Sequence, residues 1–193
     1  MQSQRMQKLV AALTASGGTR VEKGSLGEMR ARAWLVLQDL KHEEIPQSPE
    51  TMPATLKARG GKRPDFKMWI DESGPVYYLD AKFHDTQKLT TFHMGADELR
   101  QYEIYREWLK DEGIDNGPRQ LCFMLYPHEL SGTEFLLVEL DALLNAEQVI
   151  WKNKPARKLL ISRDAGAWVK QHEILGAEEE GPRDAKPSLG GSV

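Results

Sequence analysis

The sequence predicts an α/β fold in which a mixed β-sheet carries helices on its faces. One observation behind this prediction is that apolar residues recur at helical spacing over residues 25–40 and 96–110. Another is that four short, strand-like runs of apolar and aromatic residues lie between and after those two segments. A chain of 193 residues is long enough for one compact domain with additional segments and too short for two full domains.

Two helices and a loop are predicted in the N-terminal third. A short amphipathic helix within residues 1–18 ends at paired glycines, and its apolar stretch is shorter than a signal-peptide core or a membrane span. The second helix covers residues 25–40, where Ser25 can cap the helix and Glu28 stands three residues further on, as in a capping box. Residues 45–61 contain three prolines and two adjacent glycines, which favours a loop with room for one short strand.

A β-hairpin and a helix are predicted next. Residues 66–70 and 76–83 are strand-like, and residues 71–74 between them have the composition of a tight turn. The helix over residues 96–110 follows a polar loop, and Gly113 is a stop signal just beyond it. The hairpin strands therefore precede a helix that can cover one face of the sheet.

The C-terminal part predicts two further strands and a tail. Residues 119–126 and 134–140 have the apolar density that is typical of central strands. A last helix is predicted around residues 164–172. Residues 176–193 have little to bury, which predicts a disordered tail after a single domain over residues 19–175.

Charge and cysteine content exclude several classes of protein. The chain has 26 lysines and arginines against 29 aspartates and glutamates, a net charge of -3, which excludes a protein that coats nucleic acid by charge alone. Its single cysteine, Cys122, lies in an apolar run, which excludes a disulfide framework and a zinc site built from cysteines. A reducing, cytoplasmic location fits this composition.

Acidic and basic side chains are expected to converge at the end of the hairpin. Asp80 and Lys82 point to the same face of their strand because strand side chains alternate, and Asp65 opens the neighbouring strand. Two carboxylates at this distance repel each other, and a hard divalent cation such as Mg²⁺ relieves the repulsion. Lys82 next to such a metal could orient or deprotonate a water molecule near a phosphate, which indicates hydrolysis of phosphodiesters.

These residues resemble the PD-(D/E)xK nuclease superfamily, which has a restriction-endonuclease-like fold. The resemblance rests on Glu28 in a helix, on Pro64-Asp65, and on Asp80-Ala81-Lys82. Gln101 and Tyr105 are similar to the Q-x-x-x-Y element of RecB-type members, and further segments look like the nuclease subunit of McrBC-type restriction systems.

The resemblance implies a role for each matching residue. Asp65 and Asp80 would bind Mg²⁺ or Mn²⁺ together with the carbonyl oxygen of Ala81, and Glu28 would complete or extend the metal shell. Lys82 would position or activate water. Gln101 and Tyr105 would steady the lysine and a phosphate of the substrate.

Other interpretations of the same residues stay open. Glu28 could cap its helix with Ser25, and Gln101 and Tyr105 could be ordinary residues of an amphipathic helix. The tripeptide Asp-Ala-Lys also occurs at residues 184–186, inside the predicted tail, so the tripeptide by itself does not identify a metal site.

A cluster of cations precedes the first hairpin strand. Five basic residues fall within eleven positions: Lys57, Arg59, Lys62, Arg63 and Lys67. Because they flank the expected metal site, they are predicted to contact nucleic-acid phosphates.

Other motifs carry less information. Residues 152–158 form a second basic patch that could equally be a solvated loop. The spacings of His84, His93 and His128 match no standard zinc pattern, and residues 60–62 lack the remaining positions of a P-loop.

The sequence as a whole predicts a metal-dependent DNA endonuclease from a bacterial or phage-related defence, restriction or repair system. The alternatives are a ribonuclease of the same fold and a catalytically silent module that binds nucleic acid or a partner protein. Since the chain offers no obvious recognition domain, a homodimer or a partner protein, such as an NTP-driven motor, is expected to supply specificity. No association with a membrane is expected.

Overall fold

The computed structural model describes residues 20–71, 74–84, 86, 88–114, 119–130, 132–161 and 167–171. The helix predicted within residues 1–18 and the tail predicted at residues 176–193 lie outside these ranges. Within the described residues, no helix is both long enough and apolar enough to span a lipid bilayer.

The secondary structure alternates between helices and strands along the chain. The helices are α1 (Arg20–Leu37), α2 (Ala54–Arg59), α3 (Ala96–Asp111) and α4 (Leu140–Leu144), with short 3₁₀ turns at Pro49–Thr51 and His128–Leu130. The strands are β1 (Lys41–Glu44), β2 (Phe66–Trp69), β3 (Val76–His84), β4 (Thr91–Gly95), β5 (Arg119–Pro127), β6 (Glu134–Glu139), β7 (Glu147–Trp151), β8 (Lys154–Leu160) and β9 (Ala167–Lys170).

The larger sheet has six strands in the order β1-β2-β3-β5-β6-β9. Strand β3 pairs with β5 in parallel, with Asp80 opposite Phe123, whereas the other neighbours in this sheet are antiparallel. A parallel pair needs a long crossover, which here contains β4 and α3. The predicted fold class, a mixed sheet flanked by helices, and the predicted hairpin of β2 and β3 are both confirmed.

The two faces of the sheet form two hydrophobic cores. Along β5, Leu121, Phe123 and Leu125 pack in the core that includes α3, whereas Met124 and Tyr126 pack in the core that includes α1. Burial on both faces makes β5 a central strand, as its apolar sequence predicted. Successive side chains of β3 also point to opposite faces of the sheet, so every second one is directed towards α3.

A second sheet of three strands, in the order β4-β8-β7, was not predicted. The basic patch at residues 152–158 belongs to its β7–β8 hairpin and is not a loop. These strands are short and partly polar, so their sequence lacks the apolar alternation that identifies a strand.

Three other predictions are wrong. Of the residues 164–172 that were expected to form a helix, Ala167–Lys170 form strand β9, which pairs with β6 and so satisfies that strand's backbone groups. The loop expected at residues 45–61 contains helix α2, which ends at Gly60 in the left-handed conformation, φ 75°. Ser25 lies inside α1 and therefore does not cap it.

Helix α1 carries a buried arginine that packs against the sheet and a turn. Arg30 is 1% exposed, and its guanidinium carbon lies 5.2 Å from the centre of the Phe83 ring. A Cβ atom at Gly132 would lie 1.1 Å from Arg30 Nη1, and Gly132 has φ 73°. Both the space and the conformation therefore require glycine at this position.

Candidate functional site

Asp80 and Lys82 of strand β3 form a buried ion pair on the face that packs against α3. Their side chains share this face because they are two residues apart in a strand. The distance from Lys82 Nζ to Asp80 Oδ2 is 2.5 Å, and the Asp80 side chain is 3% exposed. This pair is the centre of the candidate site.

Tyr102 on helix α3 connects to both members of the pair. Its hydroxyl donates a short hydrogen bond to Asp80 Oδ1 and accepts one from Lys82 Nζ at 3.0 Å. Burial and the negative charge of Asp80 raise the pKa of Tyr102 well above its usual value. The tyrosine therefore stays protonated and acts as a hydrogen-bond donor to the carboxylate.

Glu98, one helical turn before Tyr102, binds two lysines. Its Oε1 atom lies 3.0 Å from Lys82 Nζ and 2.6 Å from Lys62 Nζ. Burial would raise the pKa of Glu98, but the two ammonium groups lower it to about 2. Glu98 is therefore a fixed negative charge that holds both amines.

Lys82 is a fixed positive charge in this environment. Burial would lower its pKa, but Asp80 and Glu98 outweigh burial and raise the pKa above its ordinary value. In the metal-free protein this amine is therefore a positive charge and a hydrogen-bond donor, and it does not accept a proton from water.

Asp65 precedes β2 and is tied to the backbone of β3. Its N–H donates to the Leu79 carbonyl at 2.9 Å, and its Oδ2 accepts the Ala81 N–H at 2.8 Å. Burial and the charge of Asp80 raise the pKa of Asp65 to about 7. Asp65 and Asp80 therefore lie close enough to repel each other, in the arrangement that the sequence predicted.

Glu28 of helix α1 lies on the same side of the site. Burial and the charge of Asp80 raise the pKa of Glu28, while Arg32 and Lys82 lower it. Because Ser25 is within the helix, the alternative role of Glu28 in a capping box is wrong. Its position near Asp65 and Asp80 leaves it available to a ligand at the site.

A pocket of about 260 Å³ opens at Glu28 and Asp65. Its remaining lining residues are Arg32, Glu44, Ile45, Pro46, Gln47 and Phe66. Both carboxylate oxygens of Glu44 accept hydrogen bonds from the Arg32 guanidinium, at 2.5 and 2.7 Å, in the wall of this pocket. Solvent and small ions can therefore reach the acidic side of the site.

The predicted helix residues Gln101 and Tyr105 are placed differently from Glu98 and Tyr102. Gln101 is exposed, and its carbonyl accepts a hydrogen bond from the Lys62 N–H. Tyr105 is 4% exposed in the core, with its ring edge-on to Tyr78 at 5.5 Å. The contacts to Lys82 are made by Glu98 and Tyr102, which have the same four-residue spacing three positions earlier in the helix.

Glu98 and Tyr102 were not among the predicted site residues. Tyr102 is one of the residues at helical spacing in α3, and its ring packs edge-on against Phe123 at 5.0 Å, as a core residue would. The presence of an acid and a tyrosine one turn apart, in a helix after a strand with a buried lysine, is the signal that could have identified them.

The five predicted cations of residues 57–67 do not act as one group. Arg63 is 7% exposed and donates to Thr51 Oγ1 and to the Ser48 carbonyl, so its guanidinium is held by the protein itself, and its predicted contact with phosphate stays a prediction. Arg59 pairs with Asp111 at 2.7 Å. Lys62 belongs to the candidate site through Glu98.

The other two cations of that cluster lie outside the site. Lys57 is exposed in the last turn of α2. The Lys67 ammonium lies 4.7 Å from the centre of the Trp69 ring on strand β2. Their contact with nucleic acid remains a prediction.

His84 follows Lys82 on the same face of β3. Burial, together with the positive charge of Lys82, lowers its pKa to about 4, and its ring is edge-on to Phe92 at 5.4 Å. His84 is therefore neutral near pH 7. In the part of the chain that the structure describes, no three histidine, cysteine or acidic side chains are grouped closely enough to hold a metal ion by themselves.

The donor chemistry of the site nevertheless fits a hard cation. Asp80 already binds one cation, the ammonium of Lys82, and the repulsion between Asp65 and Asp80 would be relieved by another. Mg²⁺ is often held by one or two carboxylates and several water molecules. The described residues therefore suit a metal that completes its shell with water.

Comparisons with known proteins give little sequence similarity. No family model matches the chain, and no curated protein matches it. Among solved structures, the chain is similar to Archaeoglobus fulgidus Hjc, a Holliday junction resolvase from an archaeal hyperthermophile, at 12% identity and a TM-score of 0.43. The match covers 71% of this chain and 88% of the other. The strand order and the contacts given above remain the basis for the fold and the site.

Proposed function

We propose that this protein is a metal-dependent endonuclease that hydrolyses phosphodiester bonds of DNA. The observation that carries the proposal is the convergence of three groups at the end of β3. Asp65 binds the Ala81 N–H, and Asp80 and Lys82 flank Ala81 in a buried ion pair. Two mutually repelling carboxylates beside a fixed ammonium suit a divalent cation and a phosphate.

Asp65, Asp80 and the Ala81 carbonyl would hold Mg²⁺ or Mn²⁺, with Glu28 at the edge of the metal shell. When bound, the metal would supply an activated water and neutralise charge on the phosphate. Glu28 and Asp65 line the pocket that opens to solvent, which gives the cation an entry path.

Lys82 would orient the attacking water and stabilise charge on the phosphate oxygens. Its three N–H donors are directed at Asp80 at 2.5 Å and at Glu98 and Tyr102 at 3.0 Å each, so a cation that takes over Asp80 would free one of them for water. Positively charged donors fixed before the reaction stabilise developing negative charge without further reorganisation. The role of Lys82 is therefore electrostatic and positional.

The choice of DNA as substrate comes from the family resemblance of the Asp65, Asp80 and Lys82 motif. The same resemblance suggests a role in bacterial or phage defence, restriction or repair, in the cytoplasm. A homodimer or a partner protein, such as an NTP-driven motor, would supply specificity; a monomer in light scattering that cuts one defined sequence unaided would contradict this.

A binding module without catalysis is the second candidate. The observation that favours it is the ion pair itself, because the Lys82 ammonium already neutralises Asp80 at 2.5 Å. In the described part of the chain, no ready-made group of three ligands is present. This candidate predicts binding of nucleic acid with no cleavage at any metal concentration.

Cleavage of supercoiled plasmid, single-stranded DNA and single-stranded RNA, each with Mg²⁺ or with EDTA, tests the proposal. Wild type is expected to nick DNA with Mg²⁺ and to be inactive with EDTA, and Lys82→Ala is expected to lose nicking. The chain provides a matched control in its second Asp-Ala-Lys sequence, because Lys186→Ala makes the same substitution in an identical tripeptide. Equal nicking by Lys82→Ala and wild type would contradict the mechanism, and cleavage of RNA alone would assign a ribonuclease.

A further inference from the structure

The β7–β8 hairpin ends in a tight, exposed turn. Trp151 is opposite Lys154 at the end of the ladder, which leaves Lys152 and Asn153 as the two turn residues. Both have positive φ, 50° and 61°, as in the two-residue turns that match the twist of a hairpin. The position of the tip is therefore fixed by the turn itself.

The tip carries two available positive charges. Lys152 and Lys154 are exposed, and neither is in an ion pair within the described residues. The cations further along β8 are engaged: Lys158 pairs with Glu147 at 3.1 Å, and Arg157 donates to the Ala146 carbonyl at 3.0 Å. The lysines at the tip are therefore available to a ligand, whereas the cations further along β8 already have partners within the protein.

An aromatic contact fixes the tip against strand β4. The Trp151 indole stacks on the His93 imidazole, with ring centres 5.2 Å apart and planes at 7°. The Lys152 ammonium lies 4.1 Å from the centre of the Trp151 ring. This stacking holds the first of the two tip cations in place.

Strand β4 connects the tip to the candidate site. Phe92, next to His93, contacts His84 edge-on at 5.4 Å, and His84 is two residues beyond Lys82 on the same face of β3. The positive charges of Lys82 and of Lys152 both lower the pKa of His84, after the larger effect of burial. Strand β4 therefore contacts both the hairpin tip, through His93, and strand β3, through Phe92.

We propose that the β7–β8 hairpin tip binds the phosphate backbone of a DNA duplex held at the candidate site, through Lys152 and Lys154. This inference rests on the proposed function, because it takes DNA to be the polymer at that site. Two unpaired ammonium groups on a rigid turn suit phosphates, which attract cations irrespective of sequence. The tip would add affinity and orientation and would take no part in the chemistry.

The test is the salt dependence of DNA binding. Fluorescence anisotropy with a 20-base-pair duplex, in EDTA to prevent cleavage, compares wild type with the charge-reversed double variant Lys152→Glu/Lys154→Glu. We expect the double variant to bind about tenfold more weakly and to reduce the slope of log K against log salt by about two, one for each lost phosphate contact. Lys152→Asn/Lys154→Gln, in which asparagine suits the left-handed turn, should also weaken binding and lower the salt slope.

The matched control is Lys110→Glu, an exposed lysine in the last turn of α3, about 18 Å along the helix axis from Glu98. It should leave the slope unchanged. Unchanged binding by both hairpin variants, no binding of the duplex by wild type, or weakened binding of a 20-mer RNA alone would each overturn the inference.

Nicking assays separate this inference from the proposed function. If the hairpin variants bind DNA more weakly while wild type cleaves nothing, the inference stands and the proposed function fails. If wild type cuts DNA and the hairpin variants bind and cut equally well, the proposed function stands and the inference fails.

Discussion

The ammonium of Lys82 lies 3.0 Å from the carboxylate of Glu98, so helix α3 holds the amine that strand β3 presents to Asp80. The same Glu98 oxygen binds Lys62 at 2.6 Å. Lys82 is therefore positioned by groups on both sides, and a ligand that displaces it from Asp80 leaves it attached to Glu98.

Glu98→Gln is expected to lower DNA nicking by about ten- to a hundredfold, as changes to residues that orient a catalytic group usually do. The variant keeps the size of the side chain but removes the charge that helps to raise the pKa of Lys82. The basic limb of the pH-rate profile should therefore move to lower pH, which a purely structural defect would not cause.

Glu103→Gln is the control for this change, because Glu103 is on the same helix and pairs with Arg100 at 3.5 Å. If the rate and pH profile of Glu98→Gln match those of wild type and the control, Glu98 does not position Lys82.

Tyr102→Phe is expected to destabilise the fold by about 1–3 kcal/mol, because it leaves a buried carboxylate oxygen of Asp80 without its donor. The free energy of unfolding in urea measures this effect. Tyr77→Phe removes a hydroxyl from the other face of β3 and should change stability by less than about 0.5 kcal/mol. Equal stability of the two variants would show that the hydrogen bond to Asp80 has no net effect.

Asp65→Asn is expected to stabilise the metal-free protein at pH 8 but not near pH 4. The pKa of Asp65 is raised from 3.8 to about 7 in the fold, so the folded state binds its proton more tightly than the unfolded state. Stability due to this group therefore falls as the pH rises from about 4 to 7 and stays low above 7. Asparagine removes the effect and can still accept the Ala81 N–H.

Urea unfolding of both proteins in EDTA at pH 4.5, 6 and 8 measures this difference. Between pH 4.5 and pH 8, the free energy of unfolding of the variant should rise relative to that of wild type by on the order of 1–4 kcal/mol. A difference that is constant with pH would contradict the placement of Asp65 beside Asp80.

Gly132→Ala is expected to cost several kcal/mol of stability, because the new methyl group would lie 1.1 Å from Arg30 Nη1, a buried atom. Gly60→Ala is the matched control. Gly60 has nearly the same φ, 75° against 73°, but nothing lies within 4 Å of its added Cβ. Gly60→Ala should therefore lower stability only through the strained backbone conformation, by about 1–2 kcal/mol. Thermal melts in which both variants lose the same stability would contradict the close packing of Arg30 on Gly132.

The parts of the fold that the sequence predicted are those with strong local patterns. The β2–β3 hairpin has a polar turn between two apolar strands, and helix α3 has apolar residues at regular helical spacing. The positions of Asp65, Asp80 and Lys82 followed from strand alternation and from pairing across the turn. In each case the local sequence pattern was sufficient to predict the structure.

The parts that were missed depend on long-range contacts. Strand β9 resembles a helix locally, and its pairing with β6 decides its structure. Arg63 looks like a surface cation until its hydrogen bonds to Thr51 and Ser48 are seen. Glu98 acquires its role from Lys82, which is on another element, so it is distinguished from the neighbouring acids only when the helix and the preceding strand are considered together.

The parallel pairing of β3 with β5 bears on when the protein can become active during its synthesis. Asp80 pairs opposite Phe123, and the chain between them contains α3, which supplies Glu98 and Tyr102. A nascent polypeptide that ends before β5 has no partner for that edge of β3. The cluster around Lys82 is therefore expected to form only after the ribosome has made β5.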